Sequence, residues 1–379
     1  MMRRYFCIII PVLTFFCFQI AQCSIFSTQT TYSAGSGSSP NYVAAADVND
    51  DNKLDVLVAN FNVSNIGVFL DTGNGTFTAQ TTYSTGSGSN PISVAAADVD
   101  GDSKPDIIVA NGDVNNVGVL LNTGNGTFTA QTTYSTGSGS NPVSVAAADV
   151  DGDSQPDIIV ANTGADNIGV LLNTGNGTFT AQTTYSTGSG SNPVSVVAID
   201  VNGDSKPDII VANTGADNIG VLLNTGNGTF TAQTTYSTGS SSNPLSVVAA
   251  DINGDGKPDI IVANGDASNV GVLLNTGNGT FTAQTTYSTG SGSHPESVAA
   301  ADVNGDSKPD IIVANGDASN VGVLLNTGNG TFTAQTTYST GSGSNPVSVV
   351  AVDVNGDSKP DIIVANTGAD NVGVFLAYC

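Results

Sequence analysis

The chain has no tryptophan, one histidine (His294) and one glutamate (Glu296). Histidine-assisted catalysis therefore has a single candidate base. It sits in a Gly/Ser loop before Pro295, where sister segments carry asparagine, and reads as a neutral drift from that asparagine. Cations are equally scarce. Arg3 and Arg4 lie at the N-terminus, and the six lysines (53, 104, 206, 257, 308 and 359) are spread along the chain. Gripping phosphates takes clustered cations, so nucleic acid is excluded as a partner. Cysteine occurs only at 7, 17, 23 and 379, which rules out a disulfide framework in the body of the chain. After residue 23 every apolar run is cut within a few residues by Asp, Asn or Gly, so no stable membrane insertion is expected there.

The N-terminus differs from the rest. Arg3 and Arg4 precede a mostly apolar stretch from Tyr5 to Ile20, broken by Pro11, and Ala21-Gln22-Cys23 offers small residues for cleavage. That order is the layout of a secretory signal, assigned to residues 1–23. A secreted, extracellular, soluble chain is expected, with residues 24–379 as one domain.

What the sequence has in abundance is repetition. A nine-residue acidic loop, Asp353-Val-Asn355-Gly-Asp357-Ser-Lys-Pro-Asp361, also begins at Asp47, Asp98, Asp149, Asp200, Asp251 and Asp302, with starts 51 residues apart. A fixed period of this size marks a repeat architecture. Of the 32 acidic residues, 24 are Asp inside the seven loops, and every lysine occupies loop position seven.

One unit reads as four strands. Val143–Ala148 is a small-residue run, and the acidic loop follows it. Asp157–Asn162 is apolar on both faces, Asn167–Leu172 is a third run, and Phe179–Tyr185 alternates large and polar residues with period two. An Asn-Gly step at Asn176 suits a tight hairpin turn. β-Branched residues and frequent Gly turns favour strand over helix. Four short strands per unit of this length describe a propeller blade. The predicted fold is all-β, a seven-bladed β-propeller of 51-residue four-stranded blades. Residues 26–32 match a fourth strand, and the chain stops after a third strand at Asn371–Leu376. The N-terminal strand should therefore complete the C-terminal blade and close the ring. In the repeat register, Cys23 and Cys379 fall on adjacent turn positions, so a disulfide could replace the missing covalent turn. That bridge requires cleavage before Cys23, and cleavage after Cys23 fits the small-residue rule as well.

The loops have the chemistry of a calcium site. Calcium takes six to eight hard oxygens in flexible geometry. Side-chain oxygens stand at positions one, three, five and nine, and position seven can add its carbonyl while its lysine points to solvent. The ligand sets are Asp47, Asn49, Asp51 and Asp55; Asp98, Asp100, Asp102 and Asp106; Asp149, Asp151, Asp153 and Asp157; Asp200, Asn202, Asp204 and Asp208. They continue with Asp251, Asn253, Asp255 and Asp259; Asp302, Asn304, Asp306 and Asp310; and Asp353, Asn355, Asp357 and Asp361. Up to seven Ca2+ are expected. Glycine at position four allows the tight turn, but the first loop has Asp50 there, which weakens its site. An EF-hand is excluded, because position twelve is a strand residue such as Val160 rather than Glu.

Asp-Ile-Asn-Gly-Asp-Gly-Lys-Pro-Asp (251–259) followed by Ile-Ile-Val-Ala-Asn resembles the FG-GAP/VCBS-type repeat of integrin α-subunit propellers and related bacterial and fungal proteins. Asn-Thr-Gly-Asn-Gly-Thr-Phe (275–281) resembles the hairpin of the VCBS type. The resemblance covers residues 26–379 and implies a seven-bladed propeller with calcium between first and second strands. A literal Phe-Gly…Gly-Ala-Pro string is absent. The resemblance further implies ligand binding on the face opposite the calcium loops, built from second-to-third-strand turns carrying Asp166, Asp217, Asp266, Asp317 and Asp370. The expected role is a non-catalytic binding or adhesion module, acting as a monomer on an extracellular protein or glycan. The alternatives are a sugar-binding lectin of the same propeller type, and an enzyme acting on polysaccharide. The repeated tyrosines (83, 134, 185, 236, 287 and 338) could be sugar platforms, though outer-strand packing is the simpler role. An acid–base pair of carboxylates would need two different environments, which near-identical units do not supply. Asn-Gly-Thr recurs as a formal glycosylation sequon explained by hairpin chemistry, and Asn62-Val-Ser is the sequon outside the repeat pattern.

Overall fold

The computed structural model describes residues 25–378, and, in backbone only, a pairing of Tyr5–Cys7 with Cys17–Gln19. The cleavage site and the Cys23–Cys379 pair lie outside the described residues. Seven four-stranded antiparallel sheets follow one another around a ring, each ordered first–second–third–fourth strand. The third blade is representative: Pro142–Ala148, Asp157–Asn162, Asn167–Leu171 and Thr183–Ser186. No helix among the described residues is long and apolar enough to cross a membrane.

The sequence of each strand sets its layer. The second strand is buried at all six positions, because a neighbouring blade covers each face. Seven apolar clusters fill the spaces between blades. One joins Ile159, Ala161 and Ile168 of the third blade to Val211, Leu222 and Phe230 of the fourth. The core is thus divided into seven layers, and no blade buries its apolar faces without both neighbours. The small first strands converge on the axis and line a central channel.

The outer strand differs from expectation. The run Phe179–Tyr185 divides: Phe179 pairs with Asn173 in an outer hairpin, and only Thr183–Ser186 joins the sheet. The division follows from where the large rings go. Phe179 packs edge-on against Tyr134 of the preceding blade, with centroids 5.3 Å apart. The hairpin is pulled towards that neighbour and out of its own sheet. In the equivalent hairpin Asn125 and Gly126 have φ of 54° and 70°, the two positive values a type I′ turn requires.

The ring closes as predicted. Thr30–Ser33 is the fourth strand of the blade whose other strands are Pro346–Val352, Asp361–Asn366 and Asn371–Phe375, with Tyr32 opposite Val372. The pairing continues outward, where Ser27 N–H donates to Leu376 O (2.8 Å) and Tyr378 N–H donates to Ile25 O (2.9 Å).

Candidate functional site

Each acidic loop is folded by its own carboxylates. In the second loop Asp98 accepts the amides of Gly101 (2.8 Å), Asp102 (3.1 Å) and Ser103 (2.8 Å). Asp100 accepts the amide of Asp102, and Asp102 accepts that of Lys104. The chain turns tightly because positions four and six take positive φ, as at Gly101 (82°) and Ser103 (69°). The first loop keeps this path with Asp50 at φ 63°. Its cost is visible in the hydrogen bonds. The position-four amide donates to position one in the other six loops, but not from Asp50 to Asp47.

Positions one, three and five come together as a ligand set. The carboxylate oxygens of Asp98, Asp100 and Asp102 lie within 4.8 Å of one another, as do those of Asp149, Asp151 and Asp153. In the first and the last four loops position three is asparagine. The lysine of position seven is solvent-exposed, as expected, but it is not free. In five loops it folds back onto the position-five carboxylate, for instance Lys257 Nζ to Asp255 at 3.1 Å. That contact holds the carboxyls of Asp102, Asp255 and Asp306 below the usual range. The third loop has Gln155 in place of lysine and no such partner; burial, and then the Asp153 charge, push Asp151 up.

Position nine has a second task that the spacing did not reveal. All seven of these aspartates are fully buried, with 0% exposure. One oxygen accepts the position-two amide, as Val150 to Asp157 at 2.9 Å. The other accepts the first amide of the outer hairpin, at 2.7 Å in every blade. Burial first, and then the charges of loop carboxylates, push Asp55, Asp106, Asp157, Asp259, Asp310 and Asp361 up to about 6, against those amides. Asp208 moves in the same direction for the same reasons.

The hairpin links neighbouring blades through the same loop. Asn122 Nδ2 donates to Val48 O in the preceding loop (2.9 Å) and to Pro105 O (3.0 Å), and Gly126 N–H also donates to Val48 O. Asn173, Asn224, Asn275 and Asn326 repeat the link. Asp71 replaces this asparagine in the first blade and Ala377 in the seventh. Asp71 Oδ1 accepts the Gly73 amide at 2.6 Å, as Asn122 Oδ1 accepts that of Gly124. Asp71 Oδ2 therefore stands where the sister amide nitrogen donates to two carbonyls. It is buried with no hydrogen-bond partner, and burial pushes the carboxyl up.

The opposite face divides its aspartates into two kinds. Asp166, Asp217 and Asp370 tie the second-to-third-strand turn to the inter-blade loop: Asp166 accepts the amides of Gly190 (2.7 Å) and Asn192 (2.9 Å). Those amides hold the carboxyls of Asp166 and Asp370 low. Asp266 and Asp317 stand elsewhere in their turns and make no such tie. Asp266 instead lies 3.3 Å from His294 Nε2, while His294 Nδ1 is 2.9 Å from Glu296 Oε1. His294 is therefore engaged on both ring nitrogens, a role that sequence position alone did not signal. The tyrosines are also engaged. Each of those from Tyr83 to Tyr287 packs edge-on against the next blade's phenylalanine and donates its hydroxyl to a hairpin carbonyl.

The FG-GAP-like repeat model matches six times, over residues 47–109, 98–160, 150–211, 200–262, 251–313 and 302–364. Among solved structures, a streptogramin B lyase superposes with a TM-score of 0.68 at 15% identity, covering 93% of this chain and 98% of that one. Virginiamycin B lyase from Staphylococcus aureus gives 0.68 at 14%, covering 93% and 100%. An Agrocybe aegerita lectin that recognises non-reducing terminal N-acetylglucosamine gives 0.57 at 22%, covering 86% and 85%. These likenesses are of fold. No curated protein matches the chain.

Proposed function

Because the chain belongs to the FG-GAP-like repeat family, we propose that it is a secreted, non-catalytic binding module whose acidic loops hold structural calcium. The observation that carries the metal reading is the convergence of three carboxylates within 4.8 Å in the second and third loops. The donors are hard oxygens only, which fits calcium and not a softer metal. Positions one, three and five would hold the ion. Position nine would add an oxygen with its remaining lone pairs, since each carboxylate oxygen can accept more than one bond. The ion would supply positive charge where carboxylates otherwise repel, and it would fix the loop to the outer hairpin through position nine.

A binding role is favoured over catalysis by the repetition itself. The same loop recurs seven times, each buried position-nine carboxylate is committed to two backbone amides, and both nitrogens of His294 face carboxylates. A lectin reading draws support from the likeness to the A. aegerita protein. Against it, the repeated tyrosines are occupied by packing and hydrogen bonds.

Thermal melting in chelator and in rising calcium tests the metal. A site saturated at a hundredfold over its dissociation constant adds about 2.7 kcal/mol. An unchanged midpoint would end the calcium assignment. A glycan array on the calcium-loaded protein then separates sugar recognition from protein adhesion.

A further inference from the structure

The seven blades differ where their first strands enter the channel. A register shift follows the leading proline of each first strand, at the residue between Pro91 and Ser93 in the second blade. The seven residues at this place are Asn41, Ile92, Val143, Val194, Leu245, Glu296 and Val347. All seven line one cavity of about 540 Å3 on the axis, together with Tyr42. Five are aliphatic, and the polar three, Glu296, Asn41 and Tyr42, come from blades separated only by the seventh. In every blade but the first, which has Phe61 at the turn position, the turn above matches the size of this side chain. A Cβ on Gly112 would lie 2.6 Å from Ile92, one on Gly265 2.7 Å from Leu245, and one on Gly316 3.0 Å from Glu296. The valine blades have threonine at that turn position instead (Thr163, Thr214 and Thr367).

Glu296 is therefore seated in its place rather than merely tolerated. Its Oε1 is held by His294, and its Oε2 makes no hydrogen bond to the described residues. Tyr42 is 36% exposed within the channel and carries a hydroxyl with no hydrogen-bond partner among the described residues. The surrounding turns carry Asp266 and Asp317, while every lysine sits in an acidic loop on the opposite face. A cavity of this size with aliphatic walls, a carboxylate and a tyrosine in its lining fits a small ligand having one cationic end.

We propose that the channel mouth binds a small aliphatic ammonium, its nitrogen on Glu296 and Tyr42 and its alkyl body along Ile92, Val143, Val194 and Leu245. The carboxylate supplies a charge-assisted hydrogen bond, and no lysine competes for it, since all six lie in the acidic loops of the opposite face. The site rests on the reading of this face as the binding face.

The test uses n-hexylammonium and n-hexanol, titrated by calorimetry and ligand-observed NMR into the full calcium-loaded chain. The ammonium should bind at least tenfold more tightly than the alcohol. Glu296→Val, which copies sister blades, and Glu296→Gln, which keeps the shape, should abolish that difference. Equal binding of both ligands, an undiminished preference in both variants, or no ammonium binding at millimolar concentration would overturn the proposal. Calcium-dependent melting of the same samples reports on the loops separately. A melting shift without ammonium binding sinks this inference alone.

Discussion

Replacing Asp71 by asparagine should stabilise the protein. The carboxylate stands 3% exposed at the joint between the seventh and first blades. In the second blade the equivalent asparagine nitrogen donates to two carbonyls at 2.9 and 3.0 Å. Asp71 offers an acceptor there in place of a donor, opposite Val354 O and Leu54 O by the same register. Two recovered hydrogen bonds contribute about 1 kcal/mol each, and removing an unpaired buried oxygen adds about 1–2 kcal/mol. The nearby Lys53 charge already lowers the cost of the carboxylate, so about 2–3 kcal/mol is expected after that discount. With about 2 cal/mol/K of unfolding entropy per residue, the melting midpoint of a chain this long should rise by roughly 3–4 °C. The sign with pH is also fixed. Burial raises the folded carboxyl above its unfolded value, so the parent loses stability as pH rises from about 4. The gain from Asp71→Asn should therefore be larger at pH 7 than at pH 4. Melting by circular dichroism at both pH values, in chelator, measures it. A variant that melts at or below the parent at pH 7 refutes the reasoning, because it would mean Oδ2 already has a donor or cation.

The other perturbations separate the loop's two tasks and the blade contacts. Asp157→Ala leaves the amides of Val150 and Asn173 buried and unpaired, and should cost about 3–5 kcal/mol even in chelator. Asp153→Ala should cost under about 0.5 kcal/mol in chelator but shrink the calcium-dependent rise in melting temperature; the reverse ranking would exchange their roles. Tyr185→Phe loses one hydroxyl bond to Gly228 O at 3.1 Å and should cost about 1 kcal/mol by denaturant unfolding. Asp166 and Asp370 have folded carboxyls held low by amides. Their contribution is present above about pH 4 and is lost as pH falls through the folded values. Asp166→Asn should therefore flatten the acid limb of the stability profile, and an unchanged limb would show that those amides do not favour the charge. Amide exchange should be fastest in the seventh blade, and uniform protection around the ring would mean that its two joints are as strong as the other five.

Much of the fold was legible because the period multiplies every signal. Asp-Ile-Ile-Val-Ala-Asn, repeated in six of the seven units, can be covered on both faces only by neighbouring strands and blades, and it is buried at every position. The chain ends announced their own pairing for the same reason. The second task of position nine was hidden. An aspartate at a ligand spacing and an aspartate that accepts two buried amides look identical in sequence. Only its place at the head of a wholly apolar strand hinted that it would be taken out of water. The split of Phe179 from Tyr185 was hidden because period two within a strand does not say which neighbour each ring meets. The contacts of His294 were hidden, since its partner Asp266 comes from the preceding unit across an inter-blade loop. The matching of Ile92, Leu245 and Glu296 to glycine, and of valine to threonine, was written in the sequence. It acquires meaning only once the turn is known to lie over the first strand.

The loops are not independent of one another. Position two joins its amide to position nine of its own blade and its carbonyl to the next blade's hairpin. That hairpin's first amide returns to position nine of its own loop. The links form a belt around the acidic-loop face, so a cation that fixed one loop would also fix the seat of the next hairpin. The belt runs through five asparagines, from Asn122 to Asn326. It lacks the side-chain link at Ala377, towards Val303, and at Asp71, towards Val354. Both gaps flank the seventh blade, which is also the blade assembled from the two chain ends. At the Asp71 joint the hairpin keeps a backbone bond, Gly75 N–H to Val354 O at 3.2 Å. The ring is thus weakest on both sides of its own closure, and calcium in the loops beginning at Asp302, Asp353 and Asp47 would act where the hydrogen-bonded belt does not. A cation there would contribute more to keeping the ring shut than one in the third or fourth loop, although its local chemistry is no different.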